Sequence, residues 1–141
     1  MTVLALRRDE PTSSEMLAGS VGTNAAVIRR ILSMLAKHGL VRSRLGAGGG
    51  ALLARTADEI TLAEVYRAVE TGELICTHRC EPSSKCVVGA RILDVLEPIR
   101  QRAESAMFTQ LEQVRLSMVS TAVLEEADQP ATAPAPELNT A

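Results

Sequence analysis

The spacing of apolar positions changes several times along the chain, and each change predicts an element. Residues 3–8 (VLALRR) read as the end of a helix. Pro11 leads into Thr12-Ser13-Ser14-Glu15, where Thr12 and Glu15 have capping-box spacing and predict a helix start. That helix is short, because Gly19 and Gly22 bracket Ser20-Val21. Thr23-Asn24 offers a second N-cap. Val27, Ile28, Ile31, Leu32 and Leu35 then share one face of a helix that runs to about His38. Gly39 suits the left-handed position that ends it, and His38 sits favourably on the helix dipole.

Residues 40–44 (LVRSR) alternate apolar and polar, as a half-buried strand does. Residues 46–50 (GAGGG) form a turn, and residues 51–55 (ALLAR) form a second strand. Thr61 and Glu64 make another capping box, opening a helix marked by Leu62, Val65, Tyr66 and Val69 that stops at Gly72. Helical spacing resumes at Val87 and continues through Ile92, Leu96, Ile99, Ala103, Met107, Leu111, Val114 and Met118 to about Glu126. Pro98 lacks an amide hydrogen, which predicts a short helix followed by a long one starting near Pro98. Residues 127–141 contain three prolines and no periodicity, and read as a disordered tail. The fold class is therefore mainly α: a winged helix-turn-helix domain with a two-stranded β wing, followed by a long C-terminal helix. The expected organisation is a winged-helix domain over 1–72, a cysteine-containing loop over 73–86, helices over 87–126 and the tail over 127–141.

Composition narrows the function. The chain has 141 residues, 46% of them hydrophobic, which suffices for one core. Tyr66 and Phe108 are its only aromatics, so a base-stacking module is excluded. No apolar run approaches a membrane span and no signal peptide is visible, so a cytoplasmic protein without membrane contact is expected. Residues 1–55 carry eight Lys/Arg against three Asp/Glu, whereas residues 56–141 carry seven against fourteen. The basic half either meets a polyanion or is an ordinary solvated surface. The turn sequence lacks the Lys-Ser/Thr of a phosphate-binding loop, and no catalytic constellation is present, so an enzyme is not expected.

A winged helix-turn-helix gives these residues specific tasks on double-stranded DNA. The second helix of the motif enters the major groove by its N-terminal end, which places Thr23, Asn24, Ala25, Ala26 and Arg29 at the DNA and lets Arg29 and Arg30 reach base edges or phosphates. Ala25 and Ala26 allow close approach. Ser13 and Ser14 lie at another helix N-terminus, which favours phosphate. Arg42 and Arg44, flanking Ser43, point to one side of the hairpin, and the glycine tip around Gly48 can enter the minor groove.

Cys76, Cys80 and Cys86 give Cys-x3-Cys-x5-Cys, with His78 between the first two. Thiolates so spaced suit an iron–sulfur cluster or a metal ion, with His78 as a fourth ligand. They equally suit a thiol switch, or carry no sensor role at all. A second class of function is thus a metal-binding or iron–sulfur redox carrier using the winged helix for protein contacts.

The stretches SEMLAGSVGTNAAVIRRILSMLAKHGLVRSRLGAGGGALLAR and ITLAEVYRAVE, followed by a cysteine loop ending CVVG, resemble the Rrf-two (Rrf2) family of bacterial winged-helix regulators. The resemblance covers about residues 3–120. It implies a homodimeric transcription factor, usually a repressor, that binds a palindromic operator and dimerises through the long helix after Pro98. Family DNA contacts carry over onto Ser13, Thr23, Asn24, Val27, Arg29 and Arg30, and onto the wing at Arg42, Ser43 and Gly48. Cluster-binding members also place three cysteines in the loop. Their five-residue spacing is kept here only from Cys80 to Cys86; Leu74 and Gly89 stand where such members have a cysteine and a histidine. Members begin with a longer first helix than VLALRR, which points to a start upstream of Met1 or a truncated first helix.

Overall fold

Two threonines decide how the helices and the hairpin are tied together. The structure is a computed structural model that describes residues 1–70, 72 and 86–128. Its elements are α1 (Thr2–Arg7), α2 (Ser14–Val21), α3 (Ala25–Lys37), β1 (Val41–Arg44), β2 (Gly50–Leu53), α4 (Leu62–Val69), α5 (Val87–Gln113) and α6 (Leu116–Asp128). The winged helix-turn-helix order is present. Of the expected loop over 73–86 only Cys86 is described, and of the expected tail over 127–141 only Ala127 and Asp128. Helix α6 continues through Ala127 and Asp128, two residues past the expected start of the tail.

Thr12 is the first of the two. It is fully buried and exchanges both backbone hydrogen bonds with Ala51, at 3.0 and 2.9 Å. It does not cap α2. Ser13 does, its Oγ accepting from the Met16 amide at 3.2 Å. The capping box expected between Thr12 and Glu15 is therefore replaced: a buried threonine committed to a strand pair cannot also face a helix start. Strands β1 and β2 pair antiparallel with Val41 opposite Leu53 and Arg44 opposite Gly50. A Cβ on Gly50 would lie 2.6 Å from the Thr12 carbonyl carbon, so only glycine admits this third strand segment.

Thr61 is the second. Its hydroxyl accepts from the Glu64 amide while the Glu64 carboxylate accepts from the Thr61 amide, completing the expected capping box. Thr61 also pairs with Arg115, and the flanking bonds Leu62 N–H to Val114 O and Leu116 N–H to Ile60 O are both 2.9 Å. This pairing draws residues 114 and 115 out of the helix and separates α5 from α6. The division expected at Pro98 does not occur, because Pro98 lies inside a continuous α5. A proline removes one hydrogen bond on an exposed helix, which water can satisfy, whereas extended pairing with Thr61 excludes helical geometry.

The core gathers Leu4, Leu17, Ile28, Leu35, Leu40, Val41, Ala51, Ile60, Ala68 and Leu116, drawing on every element except α5. On α3 the inward stripe is Ala25, Ile28, Leu32 and Leu35, with Ile28 and Leu35 buried and the other two partly so. Val27 and Ile31, expected on the same face, are 43% and 37% exposed. They sit one step further around the helix. Helix α4 ends at Val69 rather than Gly72, with Glu70 already extended. Tyr66 of α4 meets Phe108 of α5 edge-on at 5.7 Å, and the Arg67 guanidinium lies 4.6 Å from the Phe108 centroid. Arg67 also reaches Glu112 at 2.8 Å. Both aromatics of the chain are thus spent on fastening α5 to the domain.

The Thr61 amide and the Arg55 guanidinium hold the Glu64 carboxyl below its ordinary range. A carboxyl lowered on folding stabilises above its unfolded pKa, and that contribution is lost as pH falls through the folded value. Thr61→Ala should lower stability by about 1 kcal/mol in thermal melts at neutral pH. Glu64→Gln should narrow the gap between melting temperatures at neutral and acidic pH. An unchanged gap would show that this box does not contribute.

Candidate nucleic-acid interface

The candidate interface is built on three helix and strand ends. Helix α2 begins at Ser13, which follows Thr12 directly, so the strand pair with Ala51 sets where α2 starts. Helix α3 begins at Asn24, whose Oδ1 accepts from the Val27 amide at 3.0 Å. Gly22 occupies the left-handed region and allows the tight turn between them. Thr23, the other candidate cap, is exposed and instead donates its amide to Ala18 O. The N-terminal turn of α3 thus presents Asn24, Ala26, Val27, Arg29 and Arg30 to solvent.

Arg29 is not loose. Its Nε donates to Ser14 Oγ at 3.1 Å, and its Nη2 donates to Glu15 Oε1 at 2.7 Å. Ser14 Oγ in turn donates to Glu15 Oε1 at 3.1 Å. The Arg29 bond, the backbone and the Ser14 hydroxyl together push the Glu15 carboxyl down to about 2. The Ser14 hydroxyl, expected at a phosphate, is therefore engaged within the protein. Glu15, expected in a capping box, is an arginine partner. Its identity as an acid close to a basic helix was the available signal, but only the fold shows that residues 15 and 29 meet.

On the hairpin, Arg42, Ser43 and Arg44 are exposed along β1. Arg42 turns across it, its Nε donating to Leu53 O at 3.3 Å. Gly46 and Gly48 have positive φ and make the tip. Leu45 beside them is 93% exposed, an apolar tip residue that the alternation pattern did not single out. His38 ends α3 with Nδ1 3.0 Å from Met34 O.

Of the sulfur and imidazole candidates, Cys76, His78 and Cys80 lie outside the described residues. Cys86 is exposed at the N-cap of α5. The backbone N–H groups of Gly89 and Val88 hold its thiol below the ordinary range, favouring thiolate. Among the described residues no group of three metal-ligating side chains converges. Nor, among them, is any helix long and apolar enough to cross a membrane. Helix α5 has no buried residue along its 27 positions. Val87, Val88, Leu93, Val95, Leu96 and Ile99 are exposed on it.

The family model for Rrf2, described as an iron-dependent transcriptional regulator, matches residues 1–122. YwnA of Bacillus subtilis, assigned as an HTH-type transcriptional regulator, is 42% identical over 103 residues, 73% of this chain and 77% of that protein. The HTH-type transcriptional regulator IscR of Photorhabdus laumondii is 40% identical over 72 residues, 51% of this chain. That match spans only 43% of IscR, less than half its length. A crystal structure assigned as a DNA-binding protein is 38% identical with a TM-score of 0.66, covering 84% of this chain and 92% of the other. These relatives are transcriptional regulators or DNA-binding proteins, not enzymes.

Proposed function

The chain belongs to the Rrf2 family of DNA-binding transcriptional regulators, and from that premise we propose that it is a homodimeric repressor of a palindromic operator. The observation that carries this reading is the exposed N-terminal turn of α3, with Asn24, Val27, Arg29 and Arg30 next to the capped start of α2. Such a turn fits the major groove, where arginine donors reach base edges. The start of α2 at Ser13 suits a backbone phosphate, while the Ser14 hydroxyl stays engaged with Arg29 and Glu15. The wing, carrying Arg42, Ser43, Arg44 and Gly48, suits the adjacent minor groove. A protein acting this way works in the cytoplasm, where the chromosome is. The carrier reading draws no support from relatives that are regulators. Reversing the charge of Arg29 and Arg30 together (R29E, R30E) should abolish sequence-specific binding in a gel-shift or anisotropy titration. Retention of operator affinity would contradict the assignment of α3.

The partner that completes the molecule is a second copy. An α5 with exposed Leu93, Leu96 and Ile99 and no buried residue is an apolar surface awaiting cover. Covering it with the same helix of a second chain sets two α3 helices about 34 Å apart, one duplex turn. Leu93→Glu with Leu96→Glu should give a monomer by sedimentation and weaken operator binding more than tenfold. A variant that stays dimeric would place the interface elsewhere.

Modulation through the cysteines fits the position of residues 73–86 between the DNA-binding domain and α5. Cys86 is exposed and biased to thiolate, as a metal or cluster ligand must be. Cys76, Cys80 and His78 would complete the donor set. An iron–sulfur cluster would supply a charge and a redox state that respond to iron and oxidants. Iron, sulfide and zinc analysis of anaerobically purified protein, with its visible spectrum, should show bound iron or zinc. A colourless, metal-free protein whose DNA binding still responds to oxidant would replace the cluster with a thiol switch. A protein indifferent to both would overturn modulation by these residues.

A further inference from the structure

We propose that Ser14 and Glu15 act as positioning residues that commit Arg29 to reading one guanine in each half-site. The inference builds on the proposed operator binding and concerns how one arginine is used there.

One edge of the Arg29 guanidinium is occupied and the other is free. An arginine has five N–H donors in a planar fork. Nε and Nη2 share one edge, and both donors of that edge are taken: Nε by Ser14 Oγ at 3.1 Å and Nη2 by Glu15 Oε1 at 2.7 Å. The opposite edge, formed by Nη1 and the remaining hydrogen of Nη2, is left for a ligand. Two parallel donors there match the O6 and N7 acceptors of guanine in the major groove. The same pair of donors is a poor match for thymine or cytosine, which offer no adjacent pair of acceptors.

An exposed ion pair of this kind adds little to folding stability. Arg29 and Glu15 side chains are 62% and 65% exposed, so its effect is orientation rather than strength. An unrestrained arginine on a groove-facing helix can swing to the nearest phosphate, which carries no sequence information. A carboxylate at the start of α2 counters that swing twice. It grips the guanidinium, and its charge lowers the attraction of the site for phosphate. Covering the pair with DNA removes water and strengthens the grip. The Glu15 carboxyl stays ionised at every pH at which the protein would bind DNA, so the base preference should not vary between about pH 5 and about pH 8.

The test selects duplexes from a randomised library with the purified full-length chain and with E15A, E15Q, S14A, R29A and the E15A/R29A pair. The wild type should enrich guanine at one position of each half-site, and R29A should lose that preference alone. E15A should relax the same position about tenfold. E15Q, which keeps an acceptor oxygen, should retain most of the preference, and S14A should relax it less than E15A does. In the R29A background, E15A should change nothing further at that position. All these side chains are exposed or half-buried, and thermal melts should be unchanged across the set. The proposal is overturned if E15A alters every position equally, since that would be simple removal of a repelling charge. It is also overturned if E15A leaves the guanine preference intact. A wild type that enriches no sequence would instead overturn operator binding itself, and every variant would then be equally unselective.

Discussion

The rest of the structure depends on one short backbone pairing. Thr12 is buried without solvent contact and exchanges two hydrogen bonds with Ala51, and Gly50 leaves no room for a side chain between them. Backbone donors buried this deeply must be paired, so the chain before α2 cannot drift from the hairpin without stranding them. The next residue is Ser13, the cap of α2. The register of the hairpin therefore dictates where α2 begins, and hence where Ser14 and Glu15 stand when α3 brings Arg29 beside them. The hairpin and the two helices are thus linked to one another by hydrogen bonds on one face.

A second seam repeats the device at the other end. Thr61 caps α4 and also pairs with Arg115, so one residue fixes a helix start and the break between α5 and α6. Tyr66, Arg67, Phe108 and Glu112 reinforce it with a ring contact, a cation over a ring and an ion pair. Helix α5 thus leaves the domain in a defined direction although none of its residues is buried. Along α5, Arg100 bridges Glu97 and Glu104 at 2.7 and 2.6 Å, side-chain links that support a helix with little packing. A solvent-exposed arm with an apolar stripe is what the proposed dimer would require.

Local signals in the sequence were legible where one neighbouring residue decides the outcome. The Thr61–Glu64 box, the Asn24 cap and the left-handed Gly39 each follow from residues within one turn. The two-stranded wing followed from alternation and glycines. Long-range choices were not legible. Thr12 and Ser13 are both good caps, and only the distant Ala51 decides between them. Val27 and Ile31 match a buried stripe by type, yet the packing of Ala25, Ile28, Leu32 and Leu35 turns them outward. Pro98 carries the stronger local breaking signal, but pairing with Thr61 interrupts the helix sixteen residues later, at Val114. At the candidate interface, the residue types of α3 were readable, whereas the Glu15–Arg29 contact joins residues fourteen apart on different helices.

In the proposed mode of binding, the start of α2, the first turn of α3 and the wing tip form one DNA-facing surface. Backbone amide resonances of the full chain, followed while a duplex carrying its selected site is added, report that surface. Amides of residues 13–15, 24–30 and 43–49 should shift together, while those of α6 stay in place. Shifts concentrated on α5 or α6, or confined to the wing with α2 and α3 unmoved, would contradict it.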